Sequence, residues 1–361
     1  MSAIRELRVS AIRNISESSL SCHNRLNLLF GVNGSGKTSL LESIYLLSRG
    51  KSFRTSNTES VVSTESKEGV VFAELLSGDR IGLSRGRSDK RLLKLNEERQ
   101  SNWDTVAQLL PVLVVDANTF QLLEGGPKNR RQYLDWGVFH VEHSFIHHWR
   151  VFRKALANRN QLLKVGSTKS SELAPWTEQL IQSGEAIHLA RESYIASVLP
   201  LFSAIYQSLE RDNTPELSIT YFRGWSESQS FEQSLAASFD ADIRYRSTQV
   251  GPQRADIHIK AAGKPAAEVL SRGQQKMVVS ALKIAQGELY SQVSEKACIY
   301  LIDDLPAELD PLNRSSVLQS LRATDAQLFV TCVEQESLEF TGKERNEYAS
   351  FHVERGKISA V

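Results

Sequence analysis

Gly31-Val32-Asn33-Gly34-Ser35-Gly36-Lys37-Thr38 fits the pattern G-x-x-x-x-G-K-[ST]. Ahead of it, Leu26-Asn27-Leu28-Leu29-Phe30 is a short apolar run that reads as a buried strand. Behind it, Ser39 to Leu47 carries the apolar spacing of a helix. Strand, glycine-rich turn and helix in this order make a phosphate cradle. The glycines let several backbone N–H groups face one anion, and the helix adds its positive end at the same place. The pattern assigns Gly31, Val32, Asn33, Gly34, Ser35, Gly36, Lys37 and Thr38 to a nucleotide. Lys37 is expected to reach the β- and γ-phosphates, and the Thr38 hydroxyl to bind Mg²⁺.

A second stretch, Ala297-Cys298-Ile299-Tyr300-Leu301-Ile302-Asp303-Asp304, is an apolar strand ending in two carboxylates. It has the form of a Walker B strand. Asp303 is expected to hold Mg²⁺, and Asp304 to stand where a general base orients the attacking water. Upstream, Leu270-Ser271-Arg272-Gly273-Gln274-Gln275-Lys276 opens a helix-like run. A hydroxyl, backbone N–H groups and a helix N-terminus make a further anion site there, although Ser271 also suits an ordinary N-cap.

Composition sets the class without identifying the protein. A length of 361 residues suggests roughly two domains, and 41% hydrophobic content supplies a sizeable core. No apolar run approaches the ~18–20 residues of a membrane helix, and the start shows no signal-peptide block. Cys22, Cys298 and Cys332 are odd in number and far apart, which suggests neither a disulfide framework nor a metal site. A cytoplasmic protein is expected. The net charge of +1 says little, so charge is read locally.

Residues 1–116 read as mixed strands and turns. Val70–Leu76, Arg80–Arg85 and Arg91–Asn96 form an antiparallel theme, Pro111–Asp116 is a further strand, and the polar stretch Thr55–Gly69 reads as a loop. From Ala117 to Asn213 the period becomes helical. Val138, Val141, Phe145, Trp149, Phe152 and Leu156 mark one face of a helix from Lys128 to Lys164, about 55 Å long at ~1.5 Å per residue. Trp176, Leu180, Ile187, Tyr194, Val198 and Leu201 mark a second helix, with Val165–Ser171 as the turn between. Asn213-Thr214-Pro215 closes the segment, and Ser218–Phe222 returns as a strand. Between Lys128 and Lys164 stand eight basic residues against two acids. Lys128, Arg130, Arg131, Arg150, Arg153 and Lys154 are the candidates for phosphate-backbone contact with DNA. A solvated helix face, with some arginines bridging to the rest of the protein, would carry the same charge. His143 and His147 lack Cys or carboxylate partners at ligand spacing, so no metal site is expected among the histidines of this segment.

The cradle, the Ser-x-Gly-Gln turn and the double-Asp strand, in this order, resemble the ABC-type ATPases in the branch with SMC and Rad50 heads. The implied fold is α/β: an ABC-ATPase head with a P-loop core and mixed sheets, formed by 1–116 and 214–361, plus an inserted α-helical arm, 117–213. In that family two heads sandwich ATP. Ser271, Gly273 and Gln274 are then expected to face the γ-phosphate held by the partner's loop, and Asp310, in Glu308-Leu309-Asp310, to line the same seam. Thr331 stands where transporter members place a switch histidine, and Asp304 where most heads carry Glu. With an acid one methylene shorter, slow hydrolysis is expected. Asp116 lies near the usual γ-phosphate-sensing loop, with no Gln at that point.

Gly50-Lys51-Ser52-Phe53-Arg54, Gly125–Asp135, Arg159–Leu163 and Thr248–Asp256 extend the resemblance over nearly the whole chain, to the RecF family of bacterial recombination mediators. The resemblance implies an ATP-gated DNA clamp that recognises junctions of duplex and single-stranded DNA at gaps. It implies ATP-dependent homodimerisation, weak DNA-stimulated ATPase activity, and work with RecR and RecO to help load RecA. Ile12-Arg13-Asn14-Ile15, Gln253 and Cys332-Val333 depart from the family pattern and are expected to lie away from the nucleotide motifs. A structural SMC-like head is disfavoured by the short arm and absent hinge. A transporter ATPase is disfavoured by the missing histidine.

Overall fold

A computed structural model of the chain describes residues 2–87, 90–166, 170–209, 215–335 and 348–361. The chain opens with the hairpin β1 (Ile4–Ile12) and β2 (Ile15–Ser21), then β3 (Leu26–Phe30) and α1 (Lys37–Arg49). Next come β4 (Glu68–Leu75), β5 (Arg80–Gly86), β6 (Arg91–Leu95) and β7 (Glu98–Gln100). The short helix α2 (Asp104–Leu109) and strand β8 (Val112–Val115) complete this stretch. β1 alternates buried and open positions, as a strand with one covered face must. β3 is buried at four successive residues, as befits the interior of a parallel sheet.

The middle of the chain is mainly helical: α3 (Gln121–Glu124), α4 (Pro127–Val141), α5 (Phe145–Lys164) and α6 (Ser170–Leu209). β9 (Leu217–Phe222), α7 (Phe231–Ala237), α8 (Phe239–Tyr245), β10 (Asp256–Ala261), β11 (Lys264–Pro265) and α9 (Ala266–Val269) follow. The single helix expected from Lys128 to Lys164 is in fact two. Glu142 adopts an extended backbone (φ −121°, ψ 105°), and its carboxylate accepts from the Ser144 N–H at 2.9 Å and hydroxyl at 2.8 Å. This local cap competes with helix continuation and breaks the run. The turn expected at Val165–Ser171 and the end of the arm at Asn213–Pro215 lie partly outside the described residues.

The chain returns with α10 (Arg272–Ser294), β12 (Ile299–Ile302), α11 (Leu305–Glu308), α12 (Pro311–Ala323), β13 (Gln327–Cys332), β14 (Tyr348–Glu354) and β15 (Lys357–Ala360). Two compact units result: Met1–Thr119 with Ile205–Leu209 and Lys276–Val361, and Phe120–Ala204 with Glu210–Gln275.

The first unit has two six-stranded sheets. One, ordered β2-β1-β4-β5-β6-β7, is antiparallel. The other, ordered β15-β14-β3-β13-β12-β8, is parallel except for β15. Leu40, Leu41, Ile44 and Leu47 of α1 share one apolar core with Leu7 and Val9 of β1, Leu29 of β3 and Phe329 of β13. The loop between β3 and α1 is thereby held at the carboxyl ends of parallel strands, where open α/β sheets bind ligands.

The second unit holds a three-stranded sheet, β11-β10-β9, and a buried ionic framework. Arg159, 1% exposed, pairs with fully buried Asp242 at 2.8 Å and donates to Thr248 at 2.7 Å. Arg191 pairs with Asp135 at 2.7 Å and donates to the Pro252 carbonyl at 2.8 Å. Many of the stretches that carried the family resemblance, Gly125–Asp135, Arg159–Leu163 and Thr248–Asp256, meet here. No helix among the described residues is long and apolar enough to cross a membrane.

Candidate nucleotide site

The loop from β3 to α1 turns on Gly31 (φ 149°), Gly34 (φ 78°) and Gly36 (φ 124°). At Gly31 a Cβ would overlap the Val353 carbonyl oxygen, so both the dihedral and the space demand glycine. The Gly31 N–H donates to Val333 O at 3.1 Å, and the Gly356 N–H to Ser35 O at 2.7 Å. Strand ends from late in the chain therefore brace the loop. α1 starts at Lys37, so its positive end faces the turn.

Lys37 is 6% exposed, and its ammonium donates to the carbonyls of Gly31 at 2.7 Å and Val32 at 3.1 Å. Burial lowers its pKa; Asp304, then Cys332 and Asp303, pull the other way. Ser35 Oγ is buried without a hydrogen-bond partner among the described residues. An orphaned hydroxyl inside a glycine cradle fits a phosphate oxygen.

Asp303 follows the last residue of β12. Its Oδ1 accepts the Thr38 hydroxyl at 2.9 Å and the Thr331 hydroxyl at 2.9 Å. Burial raises the pKa of Asp303, opposed by these two hydrogen bonds. β13 runs parallel to β12 with Ile302 opposite Val330, which brings Thr331 level with Asp303. Asp304 takes the left-handed conformation (φ 50°, ψ 49°), and its N–H donates to Thr331 Oγ1 at 2.7 Å.

A cavity of about 710 Å³ gathers Asn33, Gly34, Gly36, Lys37, Thr38, Asp303, Asp304 and Thr331. The size suits a small-molecule ligand. Its other wall was not foreseen from sequence: Arg13, Asn14, Ser16, Arg54, Ser60 and Val62–Glu65. The expectation that the departures at Ile12–Ile15 and Cys332-Val333 lie away from the nucleotide motifs is corrected, since the Val333 carbonyl accepts the Gly31 N–H. The tight β1–β2 turn brings Asn14 onto the loop, where its amide donates to Gly34 O at 3.1 Å and its carbonyl oxygen accepts from the Ser39 hydroxyl at 2.9 Å. Arg13 is fixed to α1 by a bidentate pair with Glu42, at 2.8 and 2.9 Å, and Glu42 is fully buried. The Ser52 hydroxyl and Arg54 also reach Glu42.

Ser271, Gly273, Gln274 and Asp310 are not among the residues lining this cavity. Ser271 is exposed and forms a capping box: its hydroxyl accepts from the Gln274 N–H at 3.3 Å, and its N–H donates to Gln274 Oε1 at 2.9 Å. Asp310 caps α12, accepting from the N–H groups of Leu312 and Asn313, each at 3.1 Å.

The basic residues divide. Lys128, Arg150, Arg153 and Lys154 are exposed, and the Arg153 guanidinium lies over the Trp149 ring at 4.8 Å. Arg130 forms a bidentate pair with Asp256 at 2.7 and 3.0 Å, and Arg131 donates to Ala255 O at 2.9 Å. Arg159, part of the same charge run in sequence, is buried and belongs to no solvent face.

The family model of the RecF/RecN/SMC N terminal domain matches residues 3–359. The chain is 40% identical over 362 residues to the DNA replication and repair protein RecF of Pseudomonas putida (strain GB-1), covering 99% of this chain and 98% of that protein. It is 39% identical over 361 residues to the protein of the same name in Pseudomonas aeruginosa (strain UCBPP-PA14), covering 99% and 97%. In fold it is similar to the solved structure of the recombination mediator protein RecF with ATP in the RecFOR pathway. That match has a TM-score of 0.87 at 24% identity over 99% of this chain and 97% of that one. A more distant likeness, TM-score 0.58 at 15% identity over 99% and 97%, is to an Smc head bound to the C-winged helix domain of ScpA. With full-length identity of this order and a glycine cradle joined to a double-Asp strand, the chain belongs to the RecF family.

Proposed function

We propose that this chain is an ATP-dependent DNA-binding recombination mediator acting at single-strand gaps and duplex/single-strand junctions. The observation that carries the reading is the 2.9 Å hydrogen bond from Thr38 to Asp303, which ties the glycine cradle to the double-Asp strand in one cavity. Gly31 through Thr38 wrap the triphosphate, and Ser35 and Lys37 turn to its oxygens. Thr38 and Asp303 are the residues to hold Mg²⁺, which when bound neutralises developing charge on the phosphates. Asp304 orients the attacking water and accepts its proton. Hydrolysis is slow, stimulated by DNA, and serves as a switch rather than as chemistry on DNA.

Two heads, each formed by 1–116 and 214–361, sandwich ATP. Ser271, Gly273, Gln274 and Asp310 of one face the loop of the other. Within the arm, 117–213, exposed Lys128, Arg150, Arg153 and Lys154 contact DNA, whereas Arg130 and Arg131 support the surface from within. In the cytoplasm the mediator works with RecR and RecO to help load RecA in repair, replication and SOS induction. Sedimentation with ATP and Mg²⁺, with and without gapped duplex DNA, tests this reading. A dimer on ATP addition, tightened by DNA, is expected; a monomer under every condition refutes it.

A further inference from the structure

The residue on β13 beside the double-Asp strand has a task that the nucleotide motifs do not assign. Thr331 is fully buried at the end of that strand. Its single hydroxyl proton goes to Asp303 Oδ1 at 2.9 Å, and its oxygen accepts the Asp304 N–H at 2.7 Å. One side chain thus ties the carboxylate of the first acid to the backbone of the second.

That backbone is unusual. Asp304 sits at φ 50°, ψ 49°, the left-handed conformation, which costs a residue with a Cβ some energy, though Asn and Asp less than most. It persists where the surroundings over-determine it, and two constraints act here. Leu305 starts the short helix α11 directly after it, and Thr331 holds its N–H. The consequence shows at the cavity. Asp304 lines it, and of the two carboxylates Asp304 exerts the stronger pull on the Lys37 ammonium. An aspartate lacks the methylene that a glutamate would use to reach an attacking water. A left-handed turn at its own Cα can redirect the short side chain instead.

We propose that Thr331 is a positioning residue, whose hydroxyl locks Asp304 in the left-handed backbone that aims its carboxylate into the cavity. The assignment rests on the ATPase reading above. Asp303 keeps the Thr38 hydroxyl even when Thr331 is altered, so ATP binding and turnover should separate.

The test compares Thr331→Val, which keeps the shape and removes the hydroxyl, with Thr331→Ser, which keeps the hydroxyl. Both are made in the full chain and in an Asp304→Asn background. ATP dissociation constants are read by equilibrium binding, and kcat by single-turnover hydrolysis. Thr331→Val should lower kcat about 100-fold, the scale of a misplaced reacting group. Its ATP dissociation constant should stay within about threefold, because Asp303 loses the Thr331 hydroxyl but keeps that of Thr38. Thr331→Ser should recover turnover to within about fivefold of wild type, and Thr331→Val should cost less than about twofold further in the Asp304→Asn background. Positioning is overturned if Thr331→Val keeps wild-type kcat, if Thr331→Ser is as impaired as Thr331→Val, or if the Val loss is undiminished without the Asp304 carboxylate. A wild-type chain that neither binds nor hydrolyses ATP overturns the ATPase reading itself, and this assignment with it.

Discussion

Replacing Arg150, Arg153 and Lys154 together by Ala should change how DNA binding responds to salt. All three side chains are exposed on α5, within four residues of one another, so they can face one stretch of phosphate backbone. Each phosphate contact contributes about 0.9 to the slope of log K against log salt on duplex DNA, so loss of three flattens it by about 2.7. Over a fourfold rise in salt, wild-type affinity should then fall about 40-fold more than that of the variant. Fluorescence anisotropy with a labelled gapped duplex, repeated at four or five salt concentrations, gives both slopes. The informative control is Arg130→Ala. Its guanidinium is spent on Asp256 at 2.7 and 3.0 Å, with side-chain exposures of 14% and 10%. Breaking a pair so enclosed should cost about 3 kcal/mol of stability and leave the slope unchanged. An unaltered slope in the triple variant would refute the assignment of α5 as the DNA surface. A flattened slope in Arg130→Ala at unchanged stability would refute the division between exposed and structural arginines.

Lys37→Ala should abolish stable ATP binding, because Lys37 carries the charge of the Gly31–Thr38 loop; equilibrium binding of a fluorescent ATP analogue checks it. Ser271→Arg should leave ATP binding by the monomer nearly intact and block ATP-induced dimerisation, since Ser271 is exposed and outside the chain's own cavity; sedimentation with ATP decides, and a persisting dimer argues against the sandwich. Arg159→Leu should destabilise by about 3–5 kcal/mol, the cost of leaving the fully buried Asp242 carboxylate without its cation, read as a shift of the urea midpoint.

The cradle and the double-Asp strand were legible in the sequence because each is a contiguous motif whose spacing reports local geometry. Leu26–Phe30 reads as a strand because the interior of a parallel sheet buries most of such a run, here four of its five residues. The other wall of the cavity left no such trace. Asn14 reaches Gly34 only because β1 pairs with β2 and their turn folds over the loop, and Ser60 to Glu65 belong to a polar stretch with no period. Charge counting does not distinguish Arg159 from its exposed neighbours for a related reason. Its partner Asp242 is 83 positions away, beyond any window in which pattern can be seen. The break between α4 and α5 rests on the Glu142 carboxylate capping Ser144, a contact that apolar periodicity along Val138–Leu156 does not register.

β3, which carries the cradle, lies between β13 and β14, and the Gly356 N–H closes on Ser35 from behind. During synthesis on the ribosome, residues 31–38 emerge roughly 290 positions or more before the strands that flank them. A nascent chain therefore holds the full nucleotide motif while having no nucleotide site. Pairing over such separations is slow, so the cradle is among the last parts to become native. On the proposed reading nucleotide binds only the finished fold, which makes it a late stabiliser of completed molecules rather than a template for partial ones. Fragments ending before β14 should carry an intact P-loop sequence and bind nothing.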